Sequence, residues 1–224
     1  MKFNETDLGF ECITNEFHIF FGKNTTTIDQ LKSKYTNYEF RQIKQTNSDI
    51  CIQSQTGSEN TEADDHYTTE KNKALIIRTA DCLPILVYDS SAEMILSVHA
   101  GWKGVENRIF QKSVDQTNLK NLQIFMGPHI HKQSFEVDTD VYQKLQASYA
   151  MGLRNKKYSE TDIFEKVGNK FHIDLKKIVM SSLDEKIVTQ LTDLNFDTLT
   201  RTDFHSYRRD RENAGRNLSF VVKL

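Results

Sequence analysis

The residues best suited to chemistry are a cysteine and a histidine, each at the end of an apolar, strand-like run. Cys82 lies in the segment TADCLP (79–84), and His99 begins the segment HAGWKG (99–104). A thiol and an imidazole held side by side can act as nucleophile and base, or supply two ligands to a soft metal. We therefore place the chemistry of this protein at Cys82 and His99.

Two short strands must hold this pair together. Apolar runs around the polar turn DSSAE predict strands over 85–89 and 94–98. A four-residue turn predicts an antiparallel register with Leu83 opposite Val98 and Cys82 opposite His99. Opposed residues share a face of the sheet, with Cβ atoms about 4.5–5.5 Å apart. A slip of one residue would send the two side chains to opposite faces, so the prediction depends on this register.

Length and composition are typical of one globular domain covering residues 1–224. The formal net charge is −2, with 27% charged residues, which argues against a nucleic-acid partner bound through bulk charge. No stretch approaches the roughly 20 apolar residues of a membrane span, and we expect no signal peptide. The cysteines Cys12, Cys51 and Cys82 are odd in number and widely spaced, which favours reduced thiols in a cytoplasmic protein. The oligomeric state is not indicated by the sequence.

The rest of the chain alternates strand and helix patterns. Apolar runs typical of strands cover residues 17–21, 74–78, 122–126 and 218–224. Helical spacing predicts helices over residues 27–35, 103–118, 138–149 and 174–191, the first with Thr27 as its N-cap. Because neighbouring strands also form hairpins, we expect a mixed sheet in an α+β fold.

Four motifs, in this order, resemble those of the YfiH-like proteins, a family once called multicopper polyphenol oxidoreductases or laccase-domain proteins. They are TADCLP (79–84), HAGWKG (99–104), GPHI (127–130) with FEV (135–137), and SYRRD (206–210) with GR (215–216). The resemblance implies an α+β fold in which an α/β/β/α sandwich contains mixed sheets, similar to that of toxin deamidases. Multicopper chemistry is not expected, since only His129 and His131 among the seven histidines form a His-x-His pair.

The same resemblance implies a purine nucleoside phosphorylase. Adenosine or inosine would react with phosphate to give the free base and ribose 1-phosphate, with adenosine deamination as a side activity. The family binds zinc through two histidines and one cysteine; Cys82 and His99 match two of these ligands, but Asn47 occupies the third position. Three alternatives remain open: weak zinc binding with His66 as the substitute ligand, chemistry without metal, or a nucleoside-binding protein linked to cell-wall maintenance that has lost turnover.

Phosphorolysis requires a bound phosphate and a stabilised leaving purine. Candidates for phosphate binding are Lys103, at the beginning of a predicted helix, together with Arg208 and Arg209. His99 or His129 can donate the proton that the purine takes up. A second hypothesis is a metal-independent cysteine hydrolase or deamidase, in which His99 activates the Cys82 thiol as a nucleophile.

Overall fold

The strands of the computed structural model, which describes residues 1–224, form two six-stranded sheets and one three-stranded sheet. The strands are β1 (Asn4–Glu5), β2 (Gly9–Ile13), β3 (Phe17–Gly22), β4 (Glu39–Arg41), β5 (Cys51–Gln53), β6 (Asp65–Thr68), β7 (Lys73–Thr79), β8 (Leu83–Asp89), β9 (Met94–Ala100), β10 (Leu122–Met126), β11 (Glu136–Val137), β12 (Phe164–Val167), β13 (Lys170–Ile173), β14 (Val188–Asp193) and β15 (Asn217–Lys223). The helices are α1 (Ile28–Lys34), α2 (Trp102–Glu106), α3 (Ile109–Thr117), α4 (Thr139–Gly152), α5 (Glu160–Ile163), α6 (Leu175–Ser181) and α7 (Tyr207–Asp210).

The first sheet has the strand order β1-β2-β3-β15-β7-β4, and only β4 and β7 run parallel. Its centre is β15, which pairs with β3 on one side and β7 on the other. All seven residues of β15 are buried, because a central strand between two layers has no face in water. The strand predicted over 218–224 is confirmed.

The second sheet has the order β14-β10-β8-β9-β6-β5, with parallel pairs at both edges. The predicted hairpin is confirmed as β8 and β9 at its centre. Asp89 fixes the turn, because its Oδ1 accepts hydrogen bonds from the backbone N–H groups of Ser91 and Ala92, both at 2.8 Å. Such a side-chain-to-backbone bond is the usual way in which aspartate stabilises a turn.

The hydrophobic core has three layers. One lies between the two large sheets, and each of the other two lies between a sheet and the helices on its outer face. Phe17 and Phe21 of the first sheet meet Leu86 and Phe125 of the second. Helix α1 covers the outer face of the first sheet through Leu31, and helices including α3, α4 and α6 cover the outer face of the second. The chain thus adopts the expected mixed α+β fold in α/β/β/α layers. None of the helices combines the length and apolarity needed to cross a bilayer.

Helix boundaries agree with the sequence in part. Thr27 caps α1 in a reciprocal capping box with Gln30, as predicted. The helix predicted over 103–118 is divided into α2 and α3 by Arg108, whose φ of 59° lies in the left-handed region. The helix predicted over 174–191 is wrong beyond Ser181: the remaining residues form a 3-10 turn and then β14, which pairs in parallel with β10. Tertiary pairing here overrides the apolar spacing.

Candidate active site

The β8–β9 hairpin brings Cys82 and His99 to one end of the second sheet. The register places Leu83 opposite Ala100 and Pro84 opposite His99, so the predicted register was wrong by two residues. Because side chains alternate faces with a period of two, this even shift leaves Cys82 and His99 on the same side. Both side chains line the same cavity, and Cys82 acts electrostatically on the His99 imidazole.

A buried carboxylate, Asp64, organises the groups around His99. Its Oδ1 accepts hydrogen bonds from His99 Nδ1 at 2.6 Å and from the backbone N–H of Asn47 at 3.1 Å. Its Oδ2 accepts from the backbone N–H groups of Thr46 at 3.2 Å and Ser48 at 2.6 Å, and from the Ser48 hydroxyl at 2.7 Å. Although burial opposes the charge, the bonds from His99 and Ser48 lower the pKa of Asp64. One carboxylate therefore ties the loop that carries Asn47 to the histidine.

His99 carries a positive charge at neutral pH. Its side chain is buried, and burial alone would disfavour the imidazolium. The charge of Cys82 and the hydrogen bond to Asp64 outweigh burial and raise the pKa of His99 to about 10. Since Nδ1 faces Asp64, Nε2 is the nitrogen left for Cys82 and for a ligand. The resting protein therefore holds a protonated His99 beside the Asp64 carboxylate.

Gly101, the N-cap of α2, leaves a small space between Asn47 and Cys82. A Cβ atom at this position would lie 3.1 Å from Asn47 Oδ1 and 3.1 Å from Cys82 Sγ. A catalytic zinc takes three protein ligands and a water, whereas these residues, with His99, supply one thiolate, one imidazole and a neutral amide oxygen, a weak zinc ligand. No three His, Cys, Asp or Glu side chains form a cluster suited to a metal. The donor set does not fit zinc, and we derive no step through a metal.

His66, the alternative third ligand, does not reach this space. It is fully buried on β6, opposite Ser97 of β9. Burial lowers the pKa of His66 to about 3. Its side chain does not line the cavity described next, so the structure gives it no part in the site.

A cavity of about 1010 Å³ opens beside Cys82 and His99. Asn47 also lines it, and aromatic side chains are contributed by Trp102 and Tyr207. Small-molecule sites usually have volumes of about 300–1,000 Å³. The cavity is therefore large enough for a nucleoside together with a phosphate ion.

Asp81 joins the Cys82 segment to the C-terminal part of the chain. Its φ of 82° is left-handed, a conformation that costs a non-glycine residue on the order of 1–3 kcal/mol. Its Oδ1 accepts a hydrogen bond from the Thr198 hydroxyl and its Oδ2 accepts one from the Arg208 backbone N–H, both at 2.6 Å. This strained residue thereby fixes the beginning of α7 beside the cavity.

Four arginines line the cavity without forming an ion pair to a carboxylate: Arg78, Arg208, Arg211 and Arg216. The guanidinium of Arg208 donates to the Glu136 backbone carbonyl at 2.9 Å. The sequence had indicated Arg208 for phosphate and had shown Arg216 only as part of the GR motif. Arg78 and Arg211 were missed, because single arginines at a strand end and in a turn give no signal in one sequence.

Two of the residues proposed for phosphate lie outside the cavity. Lys103 is exposed on α2, with its ammonium 5.8 Å from the centre of the Trp102 ring. The guanidinium of Arg209 donates to the backbone carbonyls of Thr198 at 2.9 Å and Phe204 at 2.7 Å, and pairs with its neighbouring aspartate. Arg209 therefore stabilises the chain before α7 rather than facing a ligand.

His129, the alternative proton donor, also lies outside the cavity. Its Nδ1 is 2.8 Å from the Gly127 carbonyl oxygen, to which it donates. The ring is buried, and burial lowers the pKa of His129 to about 4. A neutral ring held in this way leaves the proton transfer to His99. Asp64, which the sequence analysis had not selected, could have been suspected from the adjacent acids Asp64 and Asp65 before a strand.

Two relatives of similar sequence carry the same name. The purine nucleoside phosphorylase of Clostridium acetobutylicum is 28% identical over 235 residues, covering 100% of this chain and 95% of that protein. The purine nucleoside phosphorylase of Haemophilus influenzae is 30% identical over 182 residues, covering 80% of this chain and 72% of its own length.

Solved structures share the fold. The YfiH protein of Bacillus licheniformis superposes with a TM-score of 0.83 at 20% identity, covering 98% of each chain. YlmD of Geobacillus stearothermophilus superposes with a TM-score of 0.82 at 17% identity, covering 99% of this chain and 98% of its own. The family model described as multi-copper polyphenol oxidoreductase laccase matches residues 4–223. This chain belongs to that family.

Proposed function

We propose that the protein is a cytoplasmic purine nucleoside phosphorylase that transfers the ribosyl group of inosine or adenosine to phosphate. One observation carries the proposal: a single cavity of about 1010 Å³ is lined both by the Cys82–His99 pair and by guanidinium groups that lack carboxylate partners. The Cys82–His99 pair can act on a leaving base, and the guanidinium groups can bind a phosphate. The names of the relatives support the same activity. The partners proposed are small molecules, with neither nucleic acid nor membrane.

In the reaction, a phosphate oxygen attacks C1′ of the ribose while the bond from C1′ to the purine nitrogen breaks. Arg208 binds the phosphate. Its guanidinium is held in place by a backbone carbonyl oxygen, and no carboxylate neutralises its charge. His99 Nε2 donates a proton to the departing purine. Asp64 and Cys82 are positioning groups that hold this proton on the ring until it is needed. Deamination of adenosine belongs to the proposal as a side activity only.

The test is release of free purine from inosine and adenosine, with and without phosphate, using protein whose metal content has been measured. We expect phosphate-dependent release that falls at least 100-fold in His99→Ala, because the leaving purine loses its proton donor. His129→Ala is the matched control, since that ring lies outside the cavity. If folded protein binds nucleoside but releases no purine, the enzyme proposal is wrong and the protein is a nucleoside-binding protein.

The geometry of Cys82, His99 and Asp64 favours one second candidate, a cysteine hydrolase or deamidase. A nucleophile beside a histidine that is itself oriented by a carboxylate is the arrangement used in nucleophilic catalysis. That mechanism predicts turnover independent of phosphate and a covalent adduct on Cys82. Mass spectrometry of protein quenched during turnover distinguishes the two, because phosphorolysis leaves Cys82 unmodified.

A further inference from the structure

The cavity carries more positive charge than one phosphate requires. Besides Arg208, it is lined by Arg78, Arg211 and Arg216, which we call the arginine wall. One phosphate ion is commonly bound by one or two guanidinium groups in bidentate geometry. The arginine wall is therefore left over once Arg208 is assigned to inorganic phosphate.

The acids that line the same cavity are already engaged. Asp81 accepts hydrogen bonds from Thr198 and from the Arg208 backbone. Asp138 pairs with Lys170 at 2.5 Å. The third acid is Glu136, whose carboxylate lies 3.7 Å from the His172 ring. None of these carboxylates compensates the arginine wall.

Arg78 is held at the cavity through its backbone. Gln45 donates from Nε2 to the Arg78 carbonyl at 2.9 Å and accepts from the Arg78 N–H at 2.8 Å. The side chain of Arg78 is exposed, and its guanidinium makes no hydrogen bond within the protein. The main chain is thus anchored while the charged group remains available to a ligand.

Arg211 and Arg216 approach the cavity from the segment that follows α7. Arg211 has φ 53° and ψ −130°, close to the first central residue of a type II′ turn, where glycine is preferred. The guanidinium of Arg216 donates only to the carbonyls of Ala214 and Gly215, at 2.8 and 2.9 Å. Tyr207 lines the same cavity, and its hydroxyl donates to Glu212 at 2.8 Å. Its aromatic ring is a surface on which a purine can stack.

We propose that the arginine wall is a second phosphoryl subsite and that the preferred ligands are purine nucleoside 5′-monophosphates. This inference rests on the proposed function, since it assigns the 5′-phosphate of the nucleoside to Arg78, Arg211 and Arg216 and leaves inorganic phosphate to Arg208. The reaction then consumes a nucleoside 5′-monophosphate and phosphate. The bond from C1′ to the purine breaks, a phosphate oxygen bonds to C1′, and the products are the free base and ribose 1,5-bisphosphate.

The experiment is calorimetric titration of the full chain in phosphate-free buffer with inosine, inosine 5′-monophosphate and pyrophosphate. We expect the monophosphate to bind at least tenfold more tightly than inosine, with an advantage that shrinks at higher salt. Arg78→Gln and Arg211→Gln should each remove most of this advantage and leave the inosine affinity unchanged. Lys103→Gln removes a charge outside the cavity and should retain it.

Equal affinities for inosine and its monophosphate overturn the inference, as does an advantage that survives both arginine substitutions. Pyrophosphate that binds as tightly as the monophosphate also overturns it, because the wall would then select a free anion. Purine release from inosine is measured separately. Release without a monophosphate preference refutes the subsite alone, whereas a wall-dependent preference without any release supports the subsite and refutes the proposed phosphorolysis.

Discussion

Substitution of Asp64 by asparagine keeps the shape of the side chain and replaces one acceptor oxygen by a donor. In the native protein Oδ2 receives three hydrogen bonds, from Thr46 and Ser48, and Oδ1 receives two, from Asn47 and His99. An amide that keeps its oxygen at the Oδ2 position must turn its NH₂ group toward the Asn47 N–H and His99 Nδ1. The Asn47 N–H then loses its acceptor, and the His99 ring must give up its Nδ1 proton and become neutral.

Two hydrogen bonds to a charged acceptor are lost, each contributing roughly 1.5–3 kcal/mol. We therefore expect Asp64→Asn to lower the free energy of unfolding by about 3–6 kcal/mol at neutral pH. Purine release should fall by roughly 10³–10⁴-fold, the size of effect known when an amide replaces the carboxylate partner of a catalytic histidine, because a neutral ring is a weaker proton donor than an imidazolium.

The pH dependence of the unfolding free energy gives a second, independent test of the Asp64–His99 pair. Because the pKa of His99 is raised to about 10, its stabilising contribution is complete below its unfolded pKa of about 6.5 and is lost as the pH rises through 10. Without the carboxylate the pKa of His99 falls, so the variant should lose less stability over this interval than the native protein.

Urea unfolding at pH 6, 8 and 10 measures the loss of unfolding free energy and its dependence on pH. The purine-release assay measures the fall in turnover. Asp65→Asn is the matched control, because the neighbouring Asp65 carboxyl accepts from the Ser113 hydroxyl and not from the His99 ring. An Asp64→Asn protein with native turnover and an unchanged slope of stability against pH would refute the assignment of Asp64 as the partner of His99.

Three other substitutions test separate parts of the site. Gly101→Ala should reduce purine release roughly tenfold or more with little change in melting temperature, because its Cβ would press on Asn47 Oδ1 and Cys82 Sγ at 3.1 Å; native turnover would show that this space is unused. Asn47→His should let dialysed protein retain about one zinc per chain by elemental analysis, because imidazole completes three strong ligands; unchanged zinc content contradicts this. Arg209→Gln should cost roughly 2–4 kcal/mol of unfolding free energy through lost bonds to carbonyls without altering the KM for phosphate, and a large KM increase would return Arg209 to the cavity.

Local patterns predicted the elements that one stretch of chain determines by itself. The β8–β9 hairpin is specified by two apolar runs and by Asp89, which closes the turn with its own side chain. Thr27 and Gln30 specify the beginning of α1 in the same way. The apolar spacing after Ser181 fits a helix and an edge strand almost equally well, and the pairing of β14 with β10, far away in sequence, decides between them.

The site was predictable only where its residues are close in sequence to a strand end. Cys82 and His99 meet because one hairpin carries both. Arg208 and Arg209 are neighbours, yet one lines the cavity and the other binds backbone carbonyls. That difference depends on the local turn around α7, which Asp81 fixes across the fold by accepting the Arg208 N–H. No pattern of residue types within the segment separates the two.

The central place of β15 has a consequence for how the protein is made. Strands β3 and β7, its two partners, are synthesised long before it, so both wait with an unpaired edge. Roughly 140 residues separate the end of β7 from β15, which takes roughly 7–28 s to translate at about 5–20 residues per second. Open strand edges invite association between chains. During translation the nascent polypeptide therefore exposes the unpaired edges of β3 and β7. A chaperone that covers these two edges would raise the yield of folded protein.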